Sequence, residues 1–237
     1  MTKQVTFTRQ GAFTGAKQIL PIALSVFSYG TVFGVLARQA GISLVEAIAM
    51  SSLVFAGSAQ FIVLGFWSTP LPIVTIVITT LIVNLRHLLM GMALRPWFVY
   101  LKPAQAYLSA IFMSDENWAL TMREFRAADR ASSTNGAFLL GSGLMLFGAW
   151  VSATATGHLV GFALGDPIEW GLDFAFPAVF IALLAGFWRG KLDLLPWGVA
   201  VTVAITASIW LPGKWYILLG GIAGSLVGAF CEEPDAE

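Results

Sequence analysis

Three polar side chains stand in an otherwise apolar stretch of membrane length. From Leu71 to Leu94 the chain reads LPIVTIVITTLIVNLRHLLMGMAL, and Asn84, Arg86 and His87 are its only strongly polar members. An arginine at the centre of a spanning helix costs about 2.5–3.5 kcal/mol on insertion scales, so it faces protein or a wet cavity. A guanidinium in that position can hold a substrate carboxylate in a two-pronged fork, with Asn84 and His87 adding hydrogen bonds. At helical spacing Thr80, Asn84, His87 and Gly91 share one face, and Thr75, Thr79, Ile82 and Arg86 share another. Two plainer roles stay open for Arg86. It can pair structurally with Asp115, Glu116 or Asp173, or snorkel toward the end near Arg95. The second needs a reach of nine residues, roughly 13 Å of helix, which is long for snorkelling.

Other segments carry candidate chemistry. In Leu53 to Gln60 (LVFAGSAQ), Gly57 and Ser58 permit either close helix packing or an unwound turn whose free N–H groups bind an anion. Gln60 brings a donor and an acceptor that lipid cannot satisfy. Asp115 and Glu116 are adjacent carboxylates within FMSDENW. Two such groups do not both ionise comfortably in a low dielectric, which suits a proton carrier or an acceptor for a substrate ammonium. An interfacial acidic turn with Trp118 at the headgroup level is the plainer alternative. Asp173 is a lone carboxylate just ahead of Pro177, placed for proton or ion coupling, for pairing with Arg86, or for capping a half-helix. His158 reads as an interfacial residue at a span end.

These residues must be positioned by membrane helices. The chain is 57% hydrophobic and 11% charged, and its mean hydropathy is +0.80, too apolar for a water-soluble globule of this size. Zero net charge gives no sign of nucleic-acid binding, and the single cysteine, Cys231, allows no intrachain disulfide. No metal or cofactor is expected. Seven stretches reach the length of a span: roughly 18–38, 46–67, 71–94, 136–158, 167–188, 192–211 and 214–231. The first follows a polar segment, 1–17, and is expected to remain uncleaved. An eighth stretch, 104–121, is interrupted by its acidic residues and reads as a shielded span, a re-entrant helix or an interfacial one. Counting basic loop residues gives eight against four for both the seven-span and the eight-span arrangement, so charge alone does not orient the chain. Both arrangements put the acidic tail 232–237 in the cytoplasm.

The fold class expected is therefore an all-α polytopic bundle, one domain over 1–237 with seven or eight spans. It also carries a sign of internal repetition. Phe55 to Phe61 and Phe174 to Phe180 share F-A-x-x-A-x-F at a separation of 119 residues, with helix breakers at Gly57-Ser58 in one copy and Pro177 in the other. Paired interruptions of this kind point to the central site of a transporter built from two pseudo-repeated halves with broken helices near the midplane. Three spans per half would make the repeat inverted, and an even number would make it parallel. An intramembrane hydrolase lacks its chemistry here: there is no H-E-x-x-H, no paired G-x-x-D aspartates and no G-x-S-G. A channel or scaffold subunit stays open as an alternative.

Taken together, Leu20-Pro21 to Gly30, Phe33-Gly34, Ala40-Gly41 with Glu46-Ala47, Met50-Ser51 through FAGSAQF, NLRHLLMG at 84–91, Asp115-Glu116 and Gly171 to Ala178 (GLDFAFPA) resemble the AzlC-type family of branched-chain amino acid exporters, also called LIV-E. The resemblance runs over essentially the whole chain. It implies the large subunit of a two-component exporter in the bacterial inner membrane, working with a small AzlD-type membrane protein. The implied substrates are Leu, Ile and Val, with Met in some members, and the implied driving force is the proton gradient. An ABC-permease reading lacks its coupling loop, since Glu46-Ala47 is only a fragment of E-A-A-x-x-x-G. The resemblance assigns no binding residues. The substrate-site candidates Gly57, Ser58, Gln60, Asn84, Arg86 and His87, and the coupling candidates Asp115, Glu116 and Asp173, rest on polarity and helix breaks.

Overall fold

The computed structural model describes residues 4–129, 133–163, 181, 185, 190–211 and 215–231. Its contacts form two compact units, Met1–Gly65 with Thr80–Asp173, and Phe66–Thr79 with Phe174–Glu237. The elements are β1 (Gln4–Thr6), α1 (Arg9–Gln39), α2 (Leu44–Leu53), α3 (Gly57–Phe66), α4 (Ile73–Phe98), α5 (Pro103–Ile111), α6 (Asp115–Asp129), β2 (Ser133–Asn135), α7 (Ala137–Ala163), a 3-10 turn at Lys191–Asp193, α8 (Leu194–Trp210) and α9 (Trp215–Cys231). The helical membrane class holds. Among the described residues four helices are long and apolar enough to cross a bilayer: Arg9–Gln39, Ile73–Phe98, Ala137–Gly161 and Lys191–Trp210.

In the first unit α1 and α7 form the frame. The short strands pair in parallel, Gln4 opposite Ser133 and Thr6 opposite Asn135, so both helices start side by side and run the same way. One side chain serves both starts. Asn135 donates to the Thr8 hydroxyl at 2.7 Å and accepts from Ala137 N at 3.1 Å, while Thr8 caps α1 by accepting from Gly11 N. Such caps satisfy N–H groups that a helix start leaves without partners. Along the seam the contacts are reciprocal. Gly15 lies against the Phe138 carbonyl and Gly141 against that of Ala12, then Gly34 against the Thr154 carbonyl and Gly157 against that of Thr31. Small residues let membrane helices approach to backbone contact, where dispersion replaces the hydrophobic drive that lipid does not supply.

Two segments differ from the expected spans. The stretch 46–67, expected as a span broken at Gly57-Ser58, is indeed two half-helices, but they do not continue in one direction. Ser43 and Glu46 close a capping box at the start of α2, the helix stops at Leu53, and Phe55 takes φ +42° before α3 opens at Gly57. The chain then folds back. Gln60 Nε2 donates to Ser51 Oγ at 3.1 Å, although nine residues of straight helix would hold them roughly 13 Å apart. The weak stretch 104–121 behaves alike. α5 ends at Ile111, and Asn117 folds the link into a turn by accepting from Ser114 N at 2.7 Å and donating to the Phe112 carbonyl at 2.8 Å. α6 then returns along α4, with Trp118 Nε1 donating to the Met90 carbonyl at 3.1 Å. Below these turns Ile19, Met90, Leu94, Trp97, Phe125 and Phe138 belong to one buried apolar cluster.

The second unit is built on α8 and α9. Gly220 and Gly224 on α9 pack against Ala200, Ala204 and Pro196 on α8, again a small-residue seam. The span expected at 167–188 falls almost wholly outside the described residues, as do Pro177 and the second F-A-x-x-A-x-F segment.

The seam makes a direct prediction. A side chain at Gly141 would overlap the Ala12 carbonyl, whereas one at Gly148 meets nothing within 4 Å. Gly141→Val is expected to cost at least the 1–3 kcal/mol typical of overpacking, about enough to lose folded protein, and Gly148→Val should be tolerated. Melting of the two purified variants in detergent, read by size-exclusion fluorescence, checks the contrast.

Candidate functional site

Arg86 sits where both folded-back pairs meet. Its Nη1 lies 2.7 Å from Asp115 Oδ2, and its Nη2 donates to Ser58 Oγ at 2.6 Å. Ser58 is the second residue of α3 and Asp115 the first of α6, so two helix N-termini converge on one guanidinium. Asp115 thus stands at the start of its helix and in contact with the cation. The side chains of Arg86 and Asp115 are only partly covered, at 31% and 43% exposure. Two polar atoms of this neighbourhood are buried without a hydrogen-bond partner: Arg86 Nε and Ser114 Oγ. A guanidinium forks a carboxylate through several N–H groups, and here Nε is still unspent.

Aromatic rings seat the two turns. Phe55, in the first turn, meets Phe147 edge to face at a centroid distance of 5.3 Å. Phe112, in the second, meets the same ring at 5.2 Å. Edge-to-face pairs of this kind add about 0.5–1.5 kcal/mol beyond the area they bury. Phe55 also holds a left-handed backbone that a bulky residue adopts at a cost of order 1–3 kcal/mol, so its ring contact helps keep the turn in place.

Behind the first turn runs a closed ring of hydrogen bonds. Trp150 Nε1 donates to Gln60 Oε1 at 3.0 Å and Gln60 Nε2 donates to Ser51 Oγ at 3.1 Å. Ser51 and Thr154 hydroxyls lie 2.8 Å apart, and Thr154 donates to the Trp150 carbonyl at 2.9 Å. With the Thr154 proton committed to that carbonyl, Ser51 is the donor to Thr154, and the circuit begins and ends on Trp150. Gln60, Ser51 and Thr154 are fully buried. Both ends of the Gln60 amide are thus spent on protein, and Gly57 is packed against the Trp150 ring.

The expected site residues therefore divide. Ser58, Arg86 and Asp115 come together. Gln60 and Gly57 stand one layer behind them, fixing the turn. Asn84 lies two residues before Arg86 with its side-chain oxygen buried and unpartnered, while His87 turns its Nδ1 to the Asn84 carbonyl of its own helix at 3.3 Å. Glu116 is exposed and does not share the Arg86 contact with Asp115. Asp173 lies outside the described residues. His158, read from sequence as interfacial, is buried and bonds the Ile42 carbonyl through Nε2 at 2.8 Å, tying the α1–α2 link to α7. Sequence reasoning missed Asn117, Trp150 and Thr154. The available signal for Asn117 was a second amide inside an apolar neighbourhood, directly after the acidic pair.

The ring of hydrogen bonds can be tested for stability. Gln60→Leu keeps the volume but strands the Trp150 N–H, at about 1–3 kcal/mol for an orphaned buried group. A lower melting temperature in detergent is expected, with Gln60→Glu milder because one acceptor survives.

Comparison with known proteins places this geometry. A family model described as "AzlC protein" matches residues 21–164, which contain both turns and Arg86. A membrane protein of Archaeoglobus fulgidus is 32% identical over 173 residues, 72% of this chain and 73% of its own length. The inner membrane protein YgaZ of Escherichia coli is 27% identical, covering 90% of this chain and 86% of its own. The branched-chain amino acid transport protein AzlC of Bacillus subtilis is 29% identical over 84% of this chain and 76% of its own. No solved structure matches the chain significantly.

Proposed function

Since this chain belongs to the AzlC family, we propose that it is a secondary membrane carrier, not an enzyme, that exports branched-chain amino acids across the bacterial inner membrane. The observation that carries the reading is Arg86, a cation inside an apolar helix, held between Ser58 and Asp115 at the meeting of two helix starts. An apolar amino acid is a zwitterion with a greasy side chain. It needs a partner for its carboxylate, a partner for its ammonium and an apolar wall. The Arg86–Asp115 pair offers the first two at once. A bound zwitterion takes the place of the internal ion pair, its carboxylate on Arg86 and its ammonium on Asp115. The Phe55, Phe112 and Phe147 rings supply the apolar wall. Charge is conserved at each step, which keeps the exchange affordable where dielectric screening is weak.

The same arrangement supports a reading of proton coupling. A proton on Asp115 removes the partner of the substrate ammonium, so proton and amino acid compete for the site. Competition is what outward amino acid movement against inward proton movement requires, and the two affinities are linked reciprocally. Glu116 and His87 are the titratable neighbours along the chain. A small AzlD-type membrane subunit completes the proposed exporter.

Leucine efflux from cells loaded with a leucine dipeptide tests this reading. Arg86→Ala should abolish efflux at unchanged membrane abundance, and Arg86→Lys should leave only a small part of it, because lysine keeps the charge but loses the fork. Full efflux by Arg86→Ala would remove the residue from the mechanism. Acidification of the substrate side is expected to weaken leucine binding in the intact protein and to have no such effect in Asp115→Asn. Flux indifferent to an imposed pH gradient would instead mark a passive channel.

A further inference from the structure

The two folded-back helix pairs correspond residue by residue at a separation of 57 positions: Phe55 with Phe112, Ser58 with Asp115, Gln60 with Asn117 and Phe61 with Trp118, a pattern F-x-x-[SD]-x-[QN]-[FW]. Four similar letters alone carry little weight. What each pair touches carries more. Phe55 and Phe112 meet the one ring of Phe147. Ser58 and Asp115 hold the one guanidinium of Arg86. Gln60 and Asn117 are both fully buried amides that close their own turn, one onto Ser51 and the other onto Phe112 and Ser114.

The two pairs approach from opposite ends of α7. For α2–α3, Ile42 is level with His158, Ser51 with Thr154 and the tip residue Phe55 with Phe147. The chain then climbs again, Gln60 meeting Trp150 and Phe61 meeting Phe33. For α5–α6 the sense is reversed. Leu101 lies at Gly136, the Phe112 carbonyl at Gly143 and the tip ring at Phe147. The return passes Met90 through Trp118 and reaches Trp97 through Phe125. The long helices that precede them are opposed in the same way. α1 runs with α7, whereas α4 leads from Arg86 at the tips to Trp97 in the cluster that holds Phe138 at the start of α7.

Charge orients this arrangement. Arg9, Arg95, Lys102, Arg123 and Arg126 lie toward the end where α1 and α7 begin, with Lys17 two turns further in, whereas Arg38 lies toward the other end. Basic residues collect on the cytoplasmic side of membrane proteins. The eight-span arrangement read from sequence treats each pair as a crossing, which sends Arg95 and Lys102 to the outside.

We propose that α1 with α2–α3 and α4 with α5–α6 are two inverted copies of one unit, whose half-helix pairs are re-entrant hairpins entering from opposite faces and meeting at Arg86. The α2–α3 hairpin enters from outside the cell and the α5–α6 hairpin from the cytoplasm. Between β1 and β2 the chain crosses only at α1 and α4, an even number, as the parallel pairing of the strands requires. Backbone freed at the two turns is then satisfied by protein, the condition under which non-helical chain exists at membrane depth. This inference does not depend on which substrate the site takes.

Single cysteines placed on a Cys231→Ser background at Ser43, Ser68, Lys102 and Asp129 test it in intact cells. Ser43→Cys and Ser68→Cys should both react with a membrane-impermeant maleimide from outside, and Lys102→Cys and Asp129→Cys only after the membrane is opened. All four sites are in links or at a helix end, and retained abundance confirms that each variant folds. Opposite sidedness of 43 and 68, or of 102 and 129, would overturn the hairpins. Both pairs intact but exchanged between faces would overturn the orientation.

Discussion

The backbone contact between α1 and α7 is the constraint on which the rest of the first unit hangs. Four glycines, two on each helix, let carbonyl and Cα meet without side chains between them. The parallel strands and Asn135 set the register at one end, so the seam has little freedom to slide. Much of the first unit is referred to α7: His158 takes the α1–α2 link, Thr154 and Trp150 take the first folded-back pair, Phe147 takes both tips, and Gly143 takes the second turn. A helix with small residues on one side and bonding side chains on the other serves as a ruler for the unit.

Against that ruler the polar groups sort by whether their bonds are already spent. The Trp150–Gln60–Ser51–Thr154 circuit uses its donors and acceptors internally, and a satisfied buried network rigidifies what it joins. The Arg86 neighbourhood is less complete. Its ion pair is partly open, and Nε of Arg86 and the Ser114 hydroxyl lack partners. A saturated layer behind an unsaturated one is the arrangement that lets a ligand exchange with protein groups without loosening the turn that presents them.

Much of this was legible in the sequence. Composition alone demands membrane helices, the cost of burying a guanidinium singles out Arg86, and the small residues after Phe55 announce a break. What was not legible is direction. A hydropathy window counts apolar length, and a chain that enters and turns back has the same composition as one that crosses. Residues 46–67 therefore read as a span, and 104–121 stayed open between a shielded span, a re-entrant helix and an interfacial one. Other features depend on angle. Asp115 and Glu116 are neighbours in sequence, yet on a helix they point about 100° apart, so one takes the cation and the other faces outward. The role of Gln60 was hidden for a similar reason: only the fold-back brings Ser51 within reach of it. Phe55 in a left-handed conformation has no signature in its residue type, since glycine is the usual occupant.

The shared ring of Phe147 has an energetic consequence for the two tips. A ring packed between two tips keeps half of its dispersion contacts when one tip withdraws, and loses nearly all of them when both do. Each withdrawal therefore costs a similar share of contact, and the two together cost the sum. Withdrawal of both tips at once is thus the costliest arrangement for that ring, and a single phenylalanine penalises it.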